Sequence, residues 1–115
     1  MKPTRFYSNK QEKKVAKVVN GKQTANSGAT AFSKGDVYTK NWLIECKTTT
    51  ATEKASFSIK KEWLEKNREE AFAMHKAYSA LAFRFGENEA DYYVIDEKTF
   101  KYFLELLAEQ EEWDE

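Results

Sequence analysis

Apolar positions fall at helical spacing in three stretches of the chain, with short β-rich runs between them. In "SNKQEKKVAKVV", Ser8 to Val19, the residues Val15, Val18 and Val19 lie at helical spacing, with Ser8 placed to cap the helix and Gly21 to end it. "QTANSGATAFSKG" is rich in small residues and reads as a short edge strand followed by a loop. "GDVYT" and "NWLIECKT" are two β-rich runs joined at Lys40-Asn41, and "TTATEKA" is a loop. "SIKKEWLEKNREEAFAMHKAYS" is the longest helical pattern, with Ile59, Trp63, Leu64, Ala71, Phe72, His75 and Tyr78 on one stripe. His75, on that stripe, reads as a core or near-core histidine. "ALAFRFG" and "DYYVID" are two further strands parted by the turn "GENEA". Asp96 is placed to cap a last helix, "EKTFKYFLELLAEQ", whose Phe100, Phe103, Leu104 and Leu107 are expected to face the core, and the tail "EEWDE" to fray. The order α-β-β-β-α-β-β-α predicts an α/β fold with a mixed sheet flanked by helices, one domain over residues 1–115 without repeat or linker.

A two-residue loop at Lys40-Asn41, where Asn tolerates a left-handed turn, fixes the register of the hairpin. Thr39 then pairs with Trp42, and Asp36 falls opposite Glu45. With the strand period of two, Asp36, Tyr38, Leu43, Glu45 and Lys47 share one face. Val37, Trp42, Ile44 and Cys46 take the other, an apolar set suited to packing on a helix.

Composition narrows the class. A chain of 115 residues, 41% hydrophobic, is long enough for one modest core without disulfide staples. The single cysteine, Cys46, has no internal partner, which suits a reducing compartment. No stretch approaches the roughly 18 apolar residues of a membrane span, and "MKPTRFYSNK" lacks the apolar run of a signal peptide. A cytoplasmic protein with no membrane partner is expected. The zero net charge conceals an asymmetry: residues 1–66 carry 14 Lys/Arg against 6 Asp/Glu, and residues 67–115 carry 5 against 13. This distribution suggests a basic face for a polyanion beside an acidic tail; an ordinary solvated surface with an acidic end is the alternative.

Two carboxylates in direct opposition repel each other unless a shared proton, a cation or a bound divalent metal relieves them. Lys47 offers one cation, which leaves a net negative pocket suited to a hard, oxygen-ligated ion such as Mg²⁺. A solvent-facing salt-bridge cluster is the other reading of the same spacing. Glu12-Lys13-Lys14 is a second Glu-x-Lys, in a polar helical stretch, so the triplet alone says little. The strand context and the opposed aspartate set Glu45-Cys46-Lys47 apart.

Asp36 followed by Glu45-Cys46-Lys47, within this order of elements, resembles the PD-(D/E)XK nuclease superfamily. The run "SGATAFSKGDVYTKNWLIECKTTT" looks most like the small Holliday junction resolvases of the archaeal type and their phage relatives. The resemblance covers roughly Glu12 to Gly86, and it departs at Gly35, where the superfamily's name has proline. It implies a restriction-endonuclease-like αβββαβ core with an extra C-terminal strand and helix. It further implies a Mg²⁺- or Mn²⁺-dependent endonuclease that hydrolyses phosphodiester bonds in DNA, leaving 5′-phosphate and 3′-hydroxyl ends. A four-way junction as substrate and a homodimer that makes two symmetric cuts are implied in the same way. Asp36 and Glu45 would ligate the metal, with the Cys46 backbone carbonyl as a third protein ligand. Lys47 would orient the attacking water and offset phosphate charge. Glu12 would reach the metal from the first helix, and Ser27 matches a loop serine near the site.

Lys22, Lys34, Lys60 and Lys61 are candidate phosphate contacts, as is Thr48 on the continuation of the strand. The aromatics of "YYVIDEKTFKYF" stand at strand and helix spacing and read as core or dimer contact rather than base-stacking platforms. Other nucleases on the same site (nicking, repair or restriction type), a non-catalytic DNA-binding module on the same fold, and a small acidic interaction protein are the competing readings.

Overall fold

The computed structural model describes residues 3–24, 36–49 and 54–111. Its elements run α1 (Thr4–Val19), β1 (Lys22–Gln23), β2 (Asp36–Tyr38), β3 (Trp42–Lys47), α2 (Lys61–Ala73), β4 (Tyr78–Phe83), β5 (Tyr92–Val94) and α3 (Glu97–Ala108). The order of helices and strands is the one the pattern predicts. The strands form one five-stranded sheet in the order β1-β2-β3-β4-β5. β3 and β4 are parallel, joined by the α2 crossover, and the other neighbours are antiparallel. The fold is therefore α/β with a mixed sheet.

α1 starts before Ser8, because Pro3 sits at the N-cap in extended conformation, where its missing N–H costs nothing. It ends on Asn20 in the left-handed conformation (φ 56°), with the Gly21 N–H returning to Ala16 O at 2.8 Å. Gly21 serves a different need: a Cβ there would stand 2.6 Å from the backbone oxygen of Tyr38. The missing side chain lets the end of α1 lie against the hairpin.

The hairpin closes as expected, with the Thr39 N–H donating to Trp42 O at 3.0 Å. One detail differs: neither Lys40 nor Asn41 takes a positive φ, since among the described non-glycine residues only Asn20 and His75 do. The left-handed turn expected of Asn41 is absent. Val37, Ile44, Ala80 and Ala82 pack with Val15 as the core on the α1 side. On the opposite face Leu43 and Leu81 lie under α2, where the buried Asn67 donates to Ala80 O (3.0 Å) and Leu43 O (3.4 Å).

Two expectations about the helices are corrected. The long helical pattern ends at Ala73: the Lys76 N–H returns to Ala71 O at 2.8 Å, and His75 takes a positive φ of 59°. This is a left-handed helix stop, and it turns the chain so that Tyr78 enters β4. His75 is thus exposed rather than in the core, and Phe72 is 84% exposed. In α3, capped by Asp96 as expected through a 2.8 Å bond from the Thr99 N–H, Phe103 packs on Trp42 and Tyr78. Phe100, Leu104 and Leu107 are not in the core; they are 54%, 52% and 56% exposed. α3 is seated by Phe103 and Tyr102 on Trp42 at the start of β3 and Tyr78 at the start of β4, which covers one stripe of the helix but not the second.

Candidate active site

The register of β2 on β3 pairs Asp36 with Glu45, Val37 with Ile44 and Tyr38 with Leu43. Asp36 and Glu45 therefore stand opposite each other on the α2 side of the sheet, with Lys47 two residues on along the same face. Thr24 at the end of β1 holds the aspartate's backbone: its N–H donates to Asp36 O at 2.9 Å and its hydroxyl donates to the same oxygen at 3.1 Å.

Asp36 is 2% exposed, so the solvent-facing salt-bridge alternative does not describe this pair. Its Oδ1 and the Oε2 of Glu45 are buried without a hydrogen-bond partner among the described residues. Burial, and then the charges of Glu45, Glu70 and Glu12, push the Asp36 carboxyl up to about 8, with Lys47 opposing them. Burial also raises Glu45, against the pull of Lys47. Glu12, buried on α1, is raised by burial, while a hydrogen bond from the Gln23 side chain and the charge of Arg5 oppose the rise.

Glu70 was not foreseen. It is buried on α2, raised by burial against the pull of Lys66, and it acts on Asp36 more strongly than Glu12 does. Trp63, Asn67 and Glu70 follow at i, i+4 and i+7, so a polar stripe beneath Trp63 was the signal available in the sequence. The charges of Glu12, Asp36, Glu45 and Glu70 thus converge on one region, opposed by Lys47 and Lys66.

The Lys47 ammonium lies 4.5 Å from the centroid of the Trp63 ring, and that of Lys60 lies 5.7 Å from it. The ring thus braces Lys47 on the carboxylate face. Behind β3, the buried Gln11 side-chain amide donates to Lys47 O at 2.9 Å, to Ala82 O at 3.3 Å and to Asp91 Oδ1 at 3.0 Å. Arg84 grips Asp91 through Nε at 2.9 Å and Nη2 at 2.6 Å. Gln11 and this ion pair, which tie α1 to the end of β3 beside Lys47, were also missed.

The remaining candidates are dispersed. Ser27 and Lys34 lie outside the described residues. Lys22 is exposed on β1, and Lys61 is exposed in the first turn of α2. Thr48 is half-buried just past β3, its hydroxyl donating to Thr49 O at 3.4 Å. The Cys46 side chain packs against the core on the α1 side, where burial pushes its thiol up, so only its backbone carbonyl remains available to the site.

Two opposed carboxylates, each with a buried unpartnered oxygen and a raised affinity for a proton, have the donor chemistry that a hard divalent cation takes. Among the described residues no three His, Cys, Asp or Glu side chains group as a metal site. The fit thus rests on the Asp36–Glu45 pair and a backbone carbonyl, with Glu12 and Glu70 acting on it through their charge. No family model matches the chain, and neither a curated protein nor a solved structure does. Among the described residues no helix is long and apolar enough to cross a membrane.

Proposed function

We propose that this chain is a metal-dependent DNA endonuclease of the PD-(D/E)XK kind, acting on branched DNA such as a four-way junction and working as a homodimer. The observation that carries the reading is the opposition of Asp36 and Glu45, both with a buried oxygen unpartnered among the described residues, beside a lysine on the same strand face. The sequence motif, which rests on the same residues, and the order of elements agree with it.

Asp36, Glu45 and the Cys46 carbonyl would hold Mg²⁺ or Mn²⁺. Bound there, the ion supplies charge that polarises a phosphodiester and lowers the pKa of water. The chain's own groups do the rest. Lys47, braced on Trp63, presents its ammonium to the scissile phosphate, offsets charge that builds on it and orients the attacking water. Lys60, on the same ring, extends the positive surface toward the neighbouring backbone. Asp36 and Glu45 must give up the protons that burial favours before the site is competent.

Cleavage of labelled four-way junction, duplex and single-stranded DNA, with Mg²⁺ and with EDTA, tests the reading. Paired symmetric cuts at the junction are expected, abolished by EDTA, by Asp36→Asn and by Lys47→Ala. Metal-dependent cutting of plain duplex would keep the chemistry and overturn the substrate. Tight DNA binding without cutting in Mg²⁺ or Mn²⁺ would replace the enzyme with a binding module.

A further inference from the structure

We infer that the uncovered stripe of α3 is the surface on which two copies of this chain pair, helix against antiparallel helix. Phe100, Leu104 and Leu107 recur at i, i+4 and i+7 and form one continuous exposed apolar stripe. It lies about a quarter turn around the helix from the stripe of Thr99 and Phe103 that packs on the domain, given 3.6 residues per turn. An apolar stripe at this spacing is the seam by which two helices pack.

The charges beside the stripe choose the occupant. Lys101 lies in the first half of α3, with Glu97 and Lys98 in its first turn, and Glu105, Glu109 and Glu111 lie in the second half and the turn that follows. Two copies running antiparallel about a two-fold axis between Phe103 and Leu104 set each Lys101 beside Glu105 of the partner subunit, and Phe100 against the partner's Leu107. A parallel pair would set like charge on like. The two-fold arrangement is self-complementary, as an isologous interface requires. The same glutamates repel a phosphate backbone, so the stripe is not a platform for nucleic acid. α3 sits over Trp42 at the start of β3, whereas Glu45 and Lys47 lie toward its end, so pairing leaves both carboxylate sites open. The use of this surface, presenting two sites to one DNA, rests on the nuclease reading; the pairing itself does not.

Sedimentation equilibrium of the full chain, in EDTA and without DNA, reads the pairing directly and is unaffected if no cleavage is found. The expected mass is twice the 13.4 kDa of one chain. Leu104→Glu, at an exposed position, is expected to give a monomer with unchanged circular dichroism. Lys101→Glu should weaken association about tenfold, and adding Glu105→Lys in the same chain should restore it. A wild type that stays monomeric at 100-fold the working concentration overturns the inference. So does a dimer indifferent to Leu104→Glu, or one that Lys101→Glu weakens and Glu105→Lys fails to restore.

Discussion

Asp36 and Glu45 face each other across the β2–β3 ladder, and each keeps one carboxylate oxygen buried without a hydrogen-bond partner among the described residues. Opposed residues in an antiparallel pair have Cβ atoms about 4.5–5.5 Å apart, close enough for two ionised carboxylates to destabilise the ladder that brings them together. The hairpin is held closed by other means: the apolar contacts of Val37 and Ile44 on the reverse face, and the grip of Thr24 on the Asp36 backbone. A folded protein that keeps such a pair stores repulsion, which a proton or a cation can release.

The metal-free protein should therefore lose stability as pH rises. Asp36 titrates at about 8 in the fold against an ordinary 3.8, so its contribution is full below about pH 4 and disappears as pH passes 8. The groups facing it, Glu12 from α1, Glu45 from β3 and Glu70 from α2, are raised as well and add with the same sign; Lys47 opposes them. Asp91 and Asp96 are lowered and change only at more acid pH, outside this window. Thermal melts in EDTA between pH 5 and 9 should fall steadily, and Asp36→Asn should flatten the curve and stabilise the protein at pH 9 by on the order of 2 kcal/mol. Mg²⁺ or Mn²⁺ should raise the melting temperature more at pH 8 than at pH 6, since metal and proton compete for the same oxygens. A flat profile in EDTA would mean that the pair is relieved in some other way.

Arg84 and Asp91 should behave in the opposite sense. Burial pushes Asp91 up, but hydrogen bonds from Arg84, Gln11 and Lys14 outweigh it and hold the carboxyl below the usual range. Its stabilising contribution is present above its unfolded pKa and is lost as pH falls through the lower folded one. Asp91→Ala strands a buried guanidinium and should cost on the order of 3–5 kcal/mol in urea unfolding. Arg84→Met combined with Asp91→Leu should recover much of that loss, because no buried charge is then left alone. Equal costs for single and double variants would show that the pair itself stabilises the fold.

Trp63 positions Lys47. A cation over an aromatic ring is worth about 0.5–2 kcal/mol, and the 4.5 Å separation fixes the ammonium on the carboxylate face. Under the nuclease reading, Trp63→Leu should lower the single-turnover cleavage rate about tenfold while DNA binding changes little. Trp63→Phe, which keeps a ring face, should restore most of the rate. Failure of Phe to rescue, with both variants folded, would assign Trp63 to packing alone.

The parts of this molecule that were legible in its sequence are those governed by a short period. Alternation along "GDVYT" and "NWLIECKT" gave the Asp36–Glu45 register and the two faces of the hairpin, because a strand's side chains have nowhere else to point. The helices misled where amphipathicity exceeded what the fold covers. Phe100, Leu104 and Leu107 satisfy a helical core pattern as well as Phe103 does, and only the place of Trp42 and Tyr78 under the helix decides which stripe is used. His75 fitted the stripe of α2 until the chain turned back at Ala73, a stop made by backbone bonds to Ala71 and Phe72 with no glycine or proline to announce it. Glu70 and Gln11 carry little signal in the sequence, because a polar residue in a polar helix looks solvated; their burial follows from the carboxylate pocket and the Arg84–Asp91 pair, which form only in three dimensions.

Gly21 is the point where α1, and with it Glu12, is seated against the hairpin. A methyl group there would meet Tyr38 O at 2.6 Å and both Thr39 Cγ2 and Val19 Cγ2 at 3.2 Å, and the nearest of these is backbone that cannot rotate away. Gly21→Ala should therefore cost about 1–3 kcal/mol, as overpacking does. At roughly 4–8 °C of melting temperature per kcal/mol for a small domain, the loss is easily read in a thermal melt. Asn20→Gly, one residue earlier, should be neutral or slightly stabilising, since Asn20 already holds the left-handed conformation that glycine takes without strain. The contrast between the two neighbours is the test: a helix merely ended by flexibility would tolerate alanine at Gly21, whereas a helix seated on the Tyr38 carbonyl will not.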